Sequence, residues 1–401
     1  MLSALSYPSF RLYWLALVCS ILARNLQIVA QSWLVLQLTD SPLMLGLAGL
    51  IYGAPTIPLT LIGGAIADRA NRKLLFIFTE AMMAVFYFAI ATLVMTGRIQ
   101  MWHVFVFAFL TGCVRAVDQP TRQALLPSTV PPEAMTNAVA LTSMVWQLCR
   151  LVGPALAGML IYLFGVASAF YTGGLCFLIT IALLLAMQIR QAAFRAGGGS
   201  LLRSTLDGLK FIWHNEIFLV LIGMSFFHAI FGMSYVTLMP VYARDILHAG
   251  SRGYGFLQSA SGAGALIGAV MVALSASSPR KGLLALGGLM VFGVILTGFA
   301  FSTWFPLSLG LVFFIGMAND FFLTMVSTIL QLRLPDSLRG RVMGVYGLTW
   351  SFMPIGGSIA GTIAEYASTP LAVAVGALFV FAVSVFVAVY FGIREQEREL
   401  A

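Results

Sequence analysis

Four sets of polar residues recur at helical spacing inside runs that are otherwise apolar. Arg24, Gln27 and Gln31 stand at i, i+3, i+7, and so do Arg115, Asp118 and Arg122. Ser143, Gln147 and Arg150 follow at i, i+4, i+7, and Asp320, Thr324, Ser327 and Gln331 make a fourth stripe. Each set lies along one face of an α-helix. An ionised side chain in the middle of a membrane span costs about 2.5–3.5 kcal/mol on insertion scales unless it is paired or faces water. Residues of this kind therefore mark binding or proton-relay positions by default. Guanidinium and amide groups so arranged suit an anionic or strongly polar, electron-rich ligand. Arg24, Gln27, Gln31, Arg115, Gln147 and Arg150 are accordingly the substrate-binding candidates. Asp118, His228 and Asp320 are the titratable groups placed to carry a proton. Basic residues outnumber acids here in the first half, so that half is expected to present a positive wall, with His228 and Asp320 opposite it. The competing reading is a set of interhelical bonds that merely hold a bundle, with Arg115 and Asp118 forming such a pair. Glu80 is expected to answer its neighbouring basic loop rather than carry a proton.

Side-chain catalysis has no foothold in this sequence. The four histidines, His103, His214, His228 and His248, are isolated, with no His-x4-Asp or His-Glu-x2-His arrangement. No Gly-x4-Gly-Lys-Ser/Thr loop is present to cradle phosphates, which leaves ATP-driven chemistry by this chain unsupported. Cys19, Cys113, Cys149 and Cys176 lie in apolar runs without metal-ligand spacing. No catalytic residue, metal or cofactor is expected, and a membrane-embedded transferase is disfavoured.

The polar stripes require long helices to hold them. Of 401 residues, 60% are hydrophobic and 9% charged, and the mean hydropathy is +0.97. A soluble domain would carry roughly a quarter of its residues as charges. A bilayer span takes about 20 apolar residues. Apolar runs between charged or Pro/Gly-rich breaks predict twelve spans. The first six are Phe10–Leu38, Leu43–Ala67, Leu74–Met95, Trp102–Ala124, Met135–Phe164 and Val166–Ile189. The second six are Ile217–Tyr242, Tyr254–Ala276, Gly282–Phe301, Phe305–Leu330, Arg341–Ile363 and Leu371–Phe391. No small-residue cleavage site separates the N-terminus from the first span, so a removed signal peptide is not expected.

With the N-terminus placed in the cytoplasm, sixteen Lys/Arg residues fall on that side and three on the other. That asymmetry predicts both termini cytoplasmic, in a bacterial inner membrane. The net charge of +8 then reflects insertion topology and not nucleic-acid binding. Residues 1–190 and 217–401 form two six-helix bundles joined by a cytoplasmic linker, 191–216. In the linker Leu202, Leu206, Leu209 and Trp213 recur at the spacing of an amphipathic surface helix. The halves also repeat each other. Gln123-Ala-Leu-Leu-Pro127 is answered by Gln331-Leu-Arg-Leu-Pro335, and the GPALAG of Gly153 to Gly158 by the GGSIAG of Gly356 to Gly361. A duplicated six-helix unit is a recurrent transporter plan.

The loop Gly64-Ala-Ile-Ala-Asp68-Arg69-Ala-Asn71-Arg72-Lys73 resembles the signature loop of the major facilitator superfamily. It departs at Asn71, where that family carries glycine, and both residue types tolerate a left-handed turn. Gly153, Pro154 and Gly158 resemble the antiporter motif of the superfamily's exporters. The wider pattern is similar to the drug:proton antiporter subfamily that includes macrolide efflux pumps and the enterobactin exporter. The resemblance implies an all-α polytopic fold of twelve helices in two pseudo-twofold-related bundles, whose first, fourth, seventh and tenth spans line a cavity. It implies a gating set of Gly64, Asp68, Arg69, Arg72, Lys73 and Arg122, with Asp68 meeting the start of the eleventh span near Gly340. The expected function is proton-coupled export of small amphipathic or polar compounds by alternating access, an importer or facilitator of the same fold being the alternative. The expected partners are the bilayer, a small-molecule substrate and protons, and the expected state is a monomer.

Overall fold

The computed structural model describes residues 3–56, 58–60, 63, 70–188, 208–275, 278 and 280–400, the side chains of 336–337 and 391–400 excepted. Among the described residues every regular element is a helix. Lipid dictates this, because each backbone polar group must be satisfied within its own segment.

Helix α1 (Pro8–Thr39) begins with proline in its first turn, where a missing N–H is harmless. It ends at Asp40, which is left-handed with φ 50° and donates its N–H to Leu36 O at 3.1 Å. Pro42 then opens α2 (Pro42–Gly53). Helix α3 (Arg72–Met95) starts on Asn71, whose side-chain oxygen accepts the N–H groups of Lys73 at 3.1 Å and Leu74 at 3.2 Å. Asn71 has φ −65° and ψ 107°, which is extended backbone. The residue is there as a helix cap, and the left-handed turn expected from the sequence is not made.

The chain continues through α4 (Met101–Leu125), α5 (Met135–Phe164), α6 (Val166–Ala186) and α7 (Glu216–Ile246). Next come α8 (Gly250–Leu274), α9 (Lys281–Ala300) and α10 (Phe305–Arg333). Helix α11 is split into Asp336–Leu348 and Met353–Tyr366, and α12 is Thr369–Leu400. Among the described residues eleven spans are long and apolar enough to cross a membrane, the second of them taken as Pro42–Thr60. The remaining expected span, the eleventh, Arg341–Ile363, exists as α11. A 3-10 turn at Thr349–Phe352, just before Pro354, divides it into two short helices. Of the linker, residues 208–213 are helical, and 191–207 lie outside the described residues.

Two compact units partition the chain. The first comprises Met1–Asp40, Ala48–Gly198 and Ala249–Ser259; the second comprises Ser41–Leu47, Gly199–His248 and Ala260–Ala401. Within the first, α1 packs on α5 and α6, and α3 on α4 and α6. Within the second, α7 packs on α11, and α9 on α10 and α12. The pairings α1–α5, α3–α4 and α3–α6 thus have counterparts in α7–α11, α9–α10 and α9–α12, which is the sequence repeat expressed as packing. The repeated glycines serve it. A Cβ on Gly158 would sit 2.5 Å from Ser251 O and 2.9 Å from Gly255 Cα, and one on Gly361 would sit 2.5 Å from Pro42 O. Each glycine therefore admits the backbone of another helix's first turns, as small residues do throughout membrane bundles.

Candidate functional site

In the first unit three helices bring four charges together. Helix α1 supplies Ser20 and Arg24 one turn apart, α3 supplies Thr79 and Glu80, and α4 supplies Asp118 and Arg122 one turn apart. Arg24 Nη2 lies 2.7 Å from Asp118 Oδ2 and 3.4 Å from Glu80 Oε1. Arg122 Nη2 lies 2.8 Å from Glu80 Oε1, and its Nε lies 2.7 Å from Asp118 Oδ2, a charge contact outside hydrogen-bond geometry. Ser20 donates to Glu80 Oε1 at 2.9 Å and accepts from Arg122, while Thr79 donates to Asp118 Oδ1 at 3.2 Å. Exposure is 0% for Glu80, 1% for Asp118, 6% for Arg24 and 5% for Arg122. Two guanidinium groups and two carboxylates sum to zero. Burial that would be prohibitive for any one of them is tolerable for the set.

The donors around Glu80 are lopsided. Ser20, Arg24 and Arg122 all converge on Oε1, and Oε2 is buried with no hydrogen-bond partner among the described residues. Below the cluster, the ring of Phe76 lies 4.9 Å from the Arg122 guanidinium carbon, and Tyr13 donates to Arg122 O at 3.0 Å. One turn further along α1, Gln27 accepts from the Tyr87 hydroxyl at 2.6 Å and donates to Gln31 Oε1 at 3.0 Å. Arg115, half-buried on α4, makes no ion pair among the described residues and lies within electrostatic range of that tyrosine.

The second unit holds a neutral polar pair. His228, fully buried at the start of a π-turn in α7, shares a 2.7 Å hydrogen bond between its Nε2 and Asn319 Oδ1 on α10. Phe292 and Phe322 meet the imidazole edge-on, at 4.6 and 5.4 Å between centroids. Asp320 is half-buried, with Thr324 Oγ1 3.5 Å from its Oδ2.

Several expectations change. Asp118 is engaged by Arg24 and Arg122, so the anticipated Arg115–Asp118 pair does not form. Among the described residues Glu80 meets the span residues Ser20, Arg24 and Arg122. The loop's Arg72 donates to Ala124 O at 3.0 Å, and Lys73 to Leu185 O at 3.2 Å and Met187 O at 2.6 Å. Arg122, assigned to the gating set, is a member of the buried cluster. Gln147 and Arg150 are half-buried on α5. Gly153 and Gly158 are close-packing positions, against Asn25 and against Ser251 and Gly255, and Pro154 interrupts α5 where Ala155 N–H is taken up by Ser259 Oγ at 2.9 Å. Gly340 is exposed in α11, and Gly64, Asp68 and Arg69 lie outside the described residues. Ser20, Thr79 and Asn319 were not singled out from the sequence. The i, i+4 pairing of Ser20 with Arg24 was the available signal for the first.

Apolar helical spans packed around a sealed charge cluster define a polytopic α-helical membrane protein. The family described as "Transmembrane secretion effector" matches residues 1–401, and the chain belongs to it. It is 27% identical over 376 residues to the multidrug efflux pump Tap of Mycolicibacterium fortuitum, covering 90% of this chain and 91% of that one. It is 23% identical over 347 residues to the enterobactin exporter EntS of Shigella boydii, covering 85% of this chain and 81% of that one. The crystal structure of the nucleoside transporter NupG superposes with a TM-score of 0.75 at 14% identity, covering 96% of this chain and 99% of that one.

Proposed function

We propose that this chain is a proton-coupled exporter of small amphipathic or polar compounds, working by alternating access in a bacterial inner membrane with both termini cytoplasmic. The relatives named above as an efflux pump and an exporter support the direction. The observation that carries proton coupling is the bare Oε2 of Glu80 beside an Oε1 that takes every donor. A proton on Oε2 leaves those three contacts in place and changes the cluster from neutral to a single positive charge. In a low-dielectric surrounding, one unit of charge is a large lever on the relative energies of two conformations. Asp118, engaged on both oxygens, then acts chiefly to orient the two arginines. Arg115, which makes no ion pair among the described residues, with Gln27 and Gln31 one helix away, is the surface that receives the polar or anionic part of the substrate. His228 and Asp320 supply titratable groups in the second unit.

Transport in everted vesicles, screened over a panel of amphipathic and siderophore-like compounds with an imposed pH gradient, tests the proposal. Gradient-driven accumulation is expected for the wild type. In Glu80→Gln it should be lost while substrate-for-substrate exchange persists, because exchange needs no proton step. Uptake in the opposite sense would instead identify an importer, and gradient-driven accumulation by Glu80→Gln would remove Glu80 from coupling.

A further inference from the structure

The basic pair Arg72–Lys73 recurs 208 residues later as Arg280–Lys281, and the two copies are used differently. In the first unit both members cap helix ends. Arg72 bonds Ala124 O near the end of α4, and Lys73 bonds Leu185 O and Met187 O at the end of α6. Carbonyls at a helix C-terminus lack intrahelical donors, so cations belong there. In the second unit the counterpart of α6 is α12, which runs on to Leu400 and presents no terminal carbonyls at this level. Among the described residues Lys281 Nζ donates to Ser278 O alone, in its own loop, at 2.7 Å. The Arg280 guanidinium makes no hydrogen bond among the described residues. Arg333, in the last turn of α10, adds a third cation at the same rim. The nearest carboxylate in sequence to this rim, Glu216, accepts from Tyr390 at 2.9 Å.

Beneath the three cations lies a groove of about 790 Å³. Its walls are apolar, formed by Leu221 and Met224 of α7, Leu283 and Leu286 of α9, Ile329 of α10 and Val387 of α12. From Ile217 at its mouth to Met224, it descends about 10 Å along α7. Leu283 is 60% and Leu332 69% exposed, so the groove is open at its rim and is not a sealed cavity. Cations at headgroup level above an apolar wall match an amphiphile with an anionic head and a hydrocarbon tail, since a free inorganic anion would leave the wall unused.

We propose that this groove holds an anionic phospholipid, its phosphate on Arg280, Lys281 and Arg333 and an acyl chain against α7, α10 and α12. The inference rests on membrane embedding and is independent of what the protein transports.

Native mass spectrometry of the full-length protein in detergent, titrated with phosphatidylglycerol or with phosphatidylcholine of the same acyl chains, tests it. The wild type should bind phosphatidylglycerol more tightly at one saturable site. Replacing Arg280, Lys281 and Arg333 together by Gln should weaken that binding on the order of 100-fold, about fivefold per cation, and leave phosphatidylcholine unchanged. Leu286→Trp keeps every cation and fills the groove, so it should weaken binding of both lipids. Equal affinity for the two lipids in the wild type, or wild-type phosphatidylglycerol binding by both variants, would overturn the proposal. Displacement of phosphatidylglycerol by inorganic phosphate, together with no effect of Leu286→Trp, would also overturn it, in favour of a free-anion site.

Discussion

Replacing Asp118 by Asn should destabilise the first unit far more than a typical substitution, and a second substitution should rescue much of the loss. Asp118→Asn removes two contacts of 2.7 Å, one from each arginine. Arg24 keeps only the 3.4 Å contact to Glu80, and two buried guanidinium groups then face one carboxylate. Breaking a buried ion pair from one side costs about 3–5 kcal/mol, because the remaining charge is stranded. Arg24→Gln strands a carboxylate instead and should cost about the same. In the double variant the Arg122–Glu80 pair at 2.8 Å remains by itself, neutral and hydrogen-bonded through Ser20. The double variant should therefore lose about as much as one single variant, which implies an interaction energy of about 3 kcal/mol, beyond a hundredfold in the unfolding equilibrium. Equilibrium unfolding by SDS titration in mixed micelles, followed by the fluorescence of Trp14 and Trp33, reads all four corners of the cycle. Losses that add to within about 0.5 kcal/mol would refute the idea that these groups share one electrostatic set.

Two further substitutions probe the packing that positions the cluster. Asn71→Ala should cost about 1 kcal/mol and accelerate amide exchange in the first turn of α3, because the N–H groups of Lys73 and Leu74 lose their acceptor; unchanged exchange there would contradict the capping role. Gly158→Val should lower thermal stability by about 1–3 kcal/mol, since Ser251 O and Gly255 Cα are backbone atoms that can only yield by moving α8. Gly49→Ala, where a Cβ meets nothing within 4 Å, is the matched control and should lose nothing.

Much of the fold was legible because lipid imposes a strong rule: an apolar run long enough to cross is a helix that crosses. The fifth span, Met135–Phe164, is identical in sequence reading and structure. The eleventh blurred because helix content there depends on a local 3-10 turn around Thr349, which hydropathy does not register. The site was half legible. Helical spacing places Arg24, Asp118 and Arg122 on inward faces, but it cannot say which helix a side chain meets. Arg115 and Asp118 share a face of α4, so they read as a pair, yet α1 brings Arg24 to Asp118, and Arg122, one turn along α4, takes the other side. Glu80 meets Arg24 and Arg122 for a similar reason. The loop cations closest to it in sequence, Arg72 and Lys73, are drawn away by helix-end carbonyls. Asn319 hid behind its charged neighbour Asp320, because charge draws attention that a neutral amide does not.

The shared neutrality of the cluster has a consequence for how the chain is made. Arg24 belongs to α1, whereas Glu80 follows it by 56 residues and Asp118 by 94. At ordinary elongation rates of about 5–20 residues per second, α1 exists for roughly 3–11 s before Glu80 emerges. During that interval a lone arginine in a lipid-exposed helix costs about 2.5–3.5 kcal/mol. Helix α3 cancels that charge, and α4 then adds Asp118 and Arg122 as a self-balanced couple. The smallest portion of the nascent chain whose span charges balance is therefore α1 through α3. Membrane entry should proceed in that block, with α1 held near the insertion machinery or the interface until its counter-charge arrives.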